Sequence, residues 1–158
     1  MGIDIPSLQL LCCAKKLGVD FSETVTIGRQ VVGGPPDVIA SILGVIGISR
    51  KQACGALQGR FAEPLFALFG ARQVSSIDAS NYEGASFIQD LNQPLPTSLT
   101  NRFSLVHDGG TIEHVFNVPQ AFKNCMEMVR IGGHFIQVNC ANNYTTTWGT
   151  DFGNSPPS

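Results

Sequence analysis

Charge is scarce in this chain: Asp, Glu, Lys and Arg make up 14% of 158 residues, and the formal net charge is −2. The ten Lys and Arg are scattered, with no run beyond Lys15-Lys16 and Arg50-Lys51. A basic field that would attract nucleic acid or an anionic membrane is therefore missing, and nucleic acid is not expected as an obligate partner. Cys12, Cys13, Cys54, Cys125 and Cys140 form no C-x-x-C pair and are odd in number. Free, buried thiols in a reducing cytosol are expected rather than a disulfide framework. No secretory leader is seen, and Pro6 stands where a myristoylation signal wants Ser or Thr. The longest apolar run, Val38 to Ile48, is short of the roughly 20 residues that span a bilayer. A soluble cytoplasmic protein with no membrane partner is expected.

Several catalytic signatures are missing as well. The glycine-rich stretch Gly44 to Gly59 lacks both the G-K-[ST] ending of a phosphate loop and the G-x-G-x-x-G dinucleotide spacing. This argues against a nicotinamide-dependent oxidoreductase. There is no G-x-S-x-G nucleophile elbow. His107, Asp108, Glu113 and His114 lie close together in sequence, but no H-x-x-x-H, H-x-H or Cys partner supports them as ligands. No metal site is expected. A Cys nucleophile needs an electropositive, exposed setting, whereas Cys125 falls on the apolar face of a helix.

What is present reads as alternating strands and helices in one domain. Ile5 to Leu17 has helical spacing with Lys15-Lys16 at its end and Gly18 as a stop. Phe21 to Ile27 holds a short strand that ends at Gly28-Arg29-Gln30. Gly33-Gly34-Pro35-Pro36 is a turn, after which Asp37 is placed to cap a helix reaching about Leu57, weakened by Gly44, Gly47 and Gly55. Arg60 to Phe69 is a further helical piece. Val74 to Ile77 is a second strand, ending at Asp78, and Ser86 to Gln89 a third, ending at Asp90-Leu91-Asn92. A carboxylate at a strand end can accept two hydrogen bonds from a ribose diol. Asp78 and Asp90 each meet that description, although each alone also fits a solvated turn or cap.

The most informative stretch is Arg102 to Asn143. Phe103 to Val106 is an apolar run suited to a buried parallel strand, and it ends in His107-Asp108-Gly109-Gly110. Pro119 opens a helix over Val118 to Val129, with Val118, Ala121, Phe122, Cys125, Met126 and Val129 on one face. Gly132-Gly133 is expected to stop that helix before a strand containing Phe135, Ile136 and Val138. His134, at the strand start, is assigned a structural role. Strand, helix and strand make a right-handed crossover, with ligands expected beyond the strands' carboxyl ends.

The segment FSLVHDGGTIEHVFNVPQAFKNCMEMVRIGGHFIQV resembles the fourth strand, following helix and fifth strand of class I S-adenosylmethionine-dependent methyltransferases. The shared features are an apolar strand, an acidic residue, Ile-Glu-His-Val, an amphipathic helix and a Gly-Gly turn. The resemblance implies a Rossmann-like, three-layer α/β sandwich with a mostly parallel sheet. It implies S-adenosylmethionine as cofactor, contacted by Gly28, Asp78, Asp90, Leu91, Asp108 and Gly109. Asp78 would meet the ribose and Asp90 the adenine amino group. Glu113 and His114 would lie toward an unidentified methyl acceptor, as candidates for catalysis. The family's first strand ends in a glycine-rich loop that brings backbone amides to the cofactor's amino-acid part. Here only Gly28 stands in that place, followed by Arg29 and Gln30. The alternative is a catalytically silent homologue serving as a binding or scaffold domain.

Methyltransferases of this class carry sixth and seventh strands, so residues 1–144 are expected to form a domain incomplete at its C-terminal edge. The sheet edge left open there would favour oligomerisation. Residues 145–158, TTTWGTDFGNSPPS, are polar and without periodicity. Read one frame away, starting at the last base of the Thr147 codon, their codons permit M-G-H-G-F-W-Q-F-S-P. That closely resembles the family's own continuation after the paired asparagines, M-G-H-G-F-Y-Q-F-S-P-E. A frameshifted tail is therefore expected.

Overall fold

The computed structural model describes residues 2–139. The expectations for Cys140, Asn142, Asn143 and the tail lie outside that range. Among the described residues, seven strands and five helices follow one another as β1 (Gly2–Ile3), α1 (Ile5–Lys16), β2 (Glu23–Ile27), β3 (Val31–Val32), α2 (Pro36–Gly44), α3 (Arg50–Ala56), α4 (Glu63–Leu68), β4 (Gln73–Asp78), β5 (Phe87–Ile88), β6 (Phe103–Gly109), α5 (Val118–Met128) and β7 (Val129–Val138). A short 3-10 turn at Ile112–His114 separates β6 from α5.

The main sheet has the order β5-β4-β2-β6-β7, with every pair parallel. β1 and β3 form a separate two-stranded parallel ribbon. Because side chains alternate along a strand, the sheet divides two cores. Leu105 faces one core with Leu8 of α1, Leu43 of α2, Ala53 of α3, Leu65 and Phe66 of α4, and Phe69 just beyond it. Val25, Ile27, Ile77 and Val106 face the other, with Ala121, Cys125 and Met128 from α5. The chain is thus α/β, a parallel sheet flanked by helices in a Rossmann-like arrangement.

Local chemistry explains most boundaries. The Asp4 carboxylate caps α1 by accepting the Ser7 N–H at 2.9 Å, and Lys15 and Lys16 occupy its last turn. The single helix expected from Asp37 to about Leu57 is instead two. Gly47, at φ +82°, reverses the chain, and Ser49 with Gln52 starts α3 through a reciprocal capping box. Pro35, not Asp37, holds the cap position of α2. The glycine-rich stretch is therefore a break between helices.

Two further expectations are corrected around α5. Gly132-Gly133 does not stop the helix: α5 ends at Met128, and β7 begins at Val129 and runs through both glycines. Glycine is required at 133 because a Cβ there would lie 2.8 Å from the Ser104 carbonyl oxygen of β6. The buried face of α5 is also rotated from the expected one. Met126 is 60% exposed, while Asn124 and Met128 are buried. The cysteines divide too: Cys12 and Cys125 are buried, as expected, but Cys13 and Cys54 are exposed.

Candidate functional site

The chain leaves β2 toward β4 and β5 on one side, then returns to place β6 and β7 on the other. The order reverses at β2, and in open parallel sheets a crevice forms beyond the carboxyl ends at such a point. A cavity of about 360 Å³ lies there, lined by Ile27 of β2, Ile77 and Asp78 of β4, Gln89 to Asn92 after β5, and Thr111, His114 and Val115 after β6. Its size falls in the range of small-molecule sites, roughly 300–1,000 Å³. Ile27, Ile77, Leu91 and Val115 supply apolar walls suited to a flat ring, and the carboxylates sit at the rim.

Asp78 is half-buried, and its Oδ1 accepts the Ser80 N–H at 3.0 Å. Its Oδ2 makes no further hydrogen bond among the described residues, so it is free to accept from a ligand hydroxyl. Asp90 is exposed and organised by its own turn: Oδ1 accepts from the Asn92 N–H at 2.9 Å and from Asn92 Nδ2 at 2.7 Å. The Leu91 to Gln93 loop is held from below by the buried Asn124, whose Nδ2 donates to the carbonyls of Leu91 (3.0 Å) and Gln93 (2.8 Å). Sequence reasoning missed Asn124, although an amide beside Cys125 on an otherwise apolar stripe is a usable signal. Thr111 was missed as well; its Oγ1 donates to the Ile27 carbonyl at 2.7 Å and ties the β6 loop to β2.

The structure thus brings Asp78, Asp90, Leu91 and His114 together at one cavity. The other candidates sit elsewhere. Asp108 is fully buried and spent on architecture, accepting from the Thr111 N–H (2.8 Å), the Ile112 N–H (3.4 Å) and Gln137 Nε2 (3.1 Å). Burial raises its carboxyl above the usual carboxylate range, and these hydrogen bonds pull it back only in part. Glu113 is buried beneath the loop, with its Oε1 at 3.7 Å from Nε2 of the largely exposed His114. Gly109 is a packing position: a Cβ there would lie 2.5 Å from Gln30 Oε1 and 3.2 Å from the Gly2 carbonyl oxygen. Gly28 adopts φ +66°, and its N–H donates to the Ile77 carbonyl at 2.7 Å, extending the β2–β4 pairing. His134 lies exposed in β7, paired in register with Leu105.

A second, more open cavity of about 520 Å³ shares Asp78 and is lined by Arg29, Val31, Arg60, Ser80, Tyr82 and Glu83. Its arginines are engaged: Arg29 pairs with Glu63 at 2.6 Å and lies over the Phe61 ring, and Arg60 pairs with Glu83 at 2.8 Å. On the opposite face of the sheet, His107 is fully buried against Phe66, with ring centroids 5.7 Å apart. Neither ring nitrogen has a well-formed hydrogen bond among the described residues. Burial lowers its pKa to about 4, and the Ile136 backbone opposes this too weakly to restore it. Among the described residues, no three His, Cys, Asp or Glu side chains gather as a metal site, and no helix is long and apolar enough to cross a membrane.

Compared with known proteins, the chain matches no family model, no curated protein sequence and no solved structure.

Proposed function

We propose that the domain binds S-adenosylmethionine and transfers its methyl group to an acceptor that the sequence and fold leave unidentified. One observation carries this reading. Asp78, the last residue of β4, and Asp90, two residues beyond β5, line a single apolar-walled cavity at the point where strand order reverses. In this reading Asp78 Oδ2 accepts from the ribose hydroxyls. Asp90 accepts from the exocyclic amine of the base, which lies between Leu91 and Val115. His114, at the rim, faces the acceptor side. Asp108 and Glu113 shape the loop that places Thr111 and His114. Methyl transfer asks little more of the protein: the sulfonium already makes the methyl electrophilic, so the site must align donor and acceptor and exclude water.

A second reading is favoured by a specific feature. Where a glycine-rich loop would leave room for the amino-acid end of the cofactor, the Gln30 side chain is packed against Gly109. A silent nucleoside-binding domain would tolerate that arrangement. Calorimetric titration with S-adenosylhomocysteine tests the cofactor site. Saturable binding weakened about tenfold or more by Asp78→Ala is expected, since hydrogen bonds to a charged acceptor contribute about 1.5–3 kcal/mol. No heat at millimolar ligand, from a folded sample, would refute the cofactor assignment.

A further inference from the structure

Gln30 is 1% exposed, and its carboxamide is only half satisfied. Nε2 donates to the carbonyls of Ile27 (2.6 Å) and Gly28 (3.5 Å), whereas Oε1 is buried without a partner. That oxygen lies 2.5 Å from where a Cβ on Gly109 would be, so the amide packs between the ends of β2 and β6. The backbone beneath it is anchored. The Gln30 carbonyl accepts the Ala62 N–H at 2.9 Å, and Val31 bridges to Phe61. Any movement must therefore come from the side-chain torsions.

The position of this amide has a consequence for ligand choice. With a base at Asp90–Leu91 and a ribose at Asp78, a 5′ substituent would leave the cavity past Ile27, a lining residue whose carbonyl accepts from Gln30 Nε2 at 2.6 Å. A nucleoside needs only the cavity itself, whose lining does not include Gln30. A ligand with a 5′ amino-acid tail needs room beyond it. We propose that Gln30 is a side-chain plug that discriminates between these ligands: it leaves a nucleoside unaffected and must swing out before a tail-bearing ligand can seat. Its unpartnered oxygen makes the closed position costly to hold, because a buried acceptor without a donor gives up its hydration for nothing. Swinging out breaks the bonds to Ile27 and Gly28 but frees Oε1 to meet water or the ammonium of the tail. The tail would bias the choice between the closed and open positions.

This inference rests on the nucleoside reading of the Asp78–Asp90 cavity, and the experiment separates the two. Wild type and Gln30→Ala are titrated with adenosine and with S-adenosylhomocysteine. The expected result is equal adenosine affinity in both proteins, with S-adenosylhomocysteine binding about tenfold tighter to Gln30→Ala, the size of one net hydrogen bond plus relieved crowding. An unchanged ratio of the two affinities would overturn the plug while leaving the nucleoside site intact. Absence of adenosine binding in both proteins would remove the nucleoside site and the plug with it. A measurement on wild type alone covers the case of a variant that does not fold. In nitrogen-15 spectra, S-adenosylhomocysteine should shift the Gln30 side-chain amide signals and adenosine should not. Equal shifts from both ligands, or from neither while both bind, would contradict the proposal.

Discussion

His107 should make the protein acid-sensitive in a way that one substitution removes. Its imidazole is fully buried against Phe66, on the face of β6 opposite the candidate site, and burial holds its pKa near 4 instead of 6.5. The unfolded chain therefore binds a proton between about pH 6.5 and pH 4 that the folded chain refuses. Stability rises with pH wherever the unfolded state holds more protons, so this contribution is intact above 6.5 and lost as pH falls toward 4. A gap from 6.5 to about 4 corresponds to about 3 kcal/mol. That is a large fraction of the total stability of a domain this size. Asp108 works in the opposite sense: burial raises its carboxyl, so its contribution grows as pH falls through the raised value toward 3.8. The comparison must therefore be made between wild type and His107→Leu, in which every other group is shared. Urea denaturation followed by circular dichroism at pH 7, 6, 5 and 4 gives both curves. Leu is close to His in volume and carries no polar atoms to orphan, so the variant should match or exceed wild type at pH 7. It should lose about 3 kcal/mol less on going to pH 4. Parallel pH dependence in the two proteins would refute the reasoning.

Other substitutions test the architecture around the cavity. Asp108→Ala strips the acceptor from the Thr111 and Ile112 N–H groups and from Gln137. A loss of about 2 kcal/mol in urea denaturation is expected, together with weaker ligand binding, because Thr111 lines the cavity. Gly133→Ala would drive a Cβ to 2.8 Å from the Ser104 carbonyl oxygen, where backbone must yield. It should lower the thermal midpoint through a cost of about 1–3 kcal/mol. Asn124→Leu keeps an apolar helix face but removes both donors to the Leu91–Gln93 loop. Calorimetry should show reduced affinity for adenosine, with the loop's amides exchanging hydrogen faster.

Much of the frame was legible because it is local. Short apolar runs ending in Asp78, Asp90 and Asp108 marked the carboxyl ends of three strands, and Pro119 with Ala121 and Cys125 marked α5. Gly132-Gly133 misled because glycine serves two purposes, ending helices and letting one backbone pass close to another. Here Ser104, nearly thirty residues away, selects the second. The division of α2 from α3 falls at Gly47, whose left-handed φ a helix cannot hold; in the sequence it is one of three glycines, with Gly44 and Gly55, that weaken the helix alike. Asp78 and Asp90 were legible as carboxylates after short apolar strands, but only the resemblance of the Arg102–Asn143 stretch singled them out, with Leu91, as cofactor contacts; all three line the cavity. The burial of Asp108 and Glu113 was not, since it depends on how the β6 loop folds back under itself. Asn124, Gln30 and His107 are polar residues whose burial follows from tertiary packing, and a one-dimensional pattern carries little trace of it.

The most direct measurement is a crystal structure of the chain grown with S-adenosylhomocysteine. The expected density places the ribose hydroxyls on Asp78, the base between Leu91 and Val115 with its amino group at Asp90, and the amino-acid tail over Gly28 with Gln30 displaced. Ligand bound away from the Asp78–Asp90 cavity, or a cavity empty at saturating ligand, would contradict the proposed cofactor site.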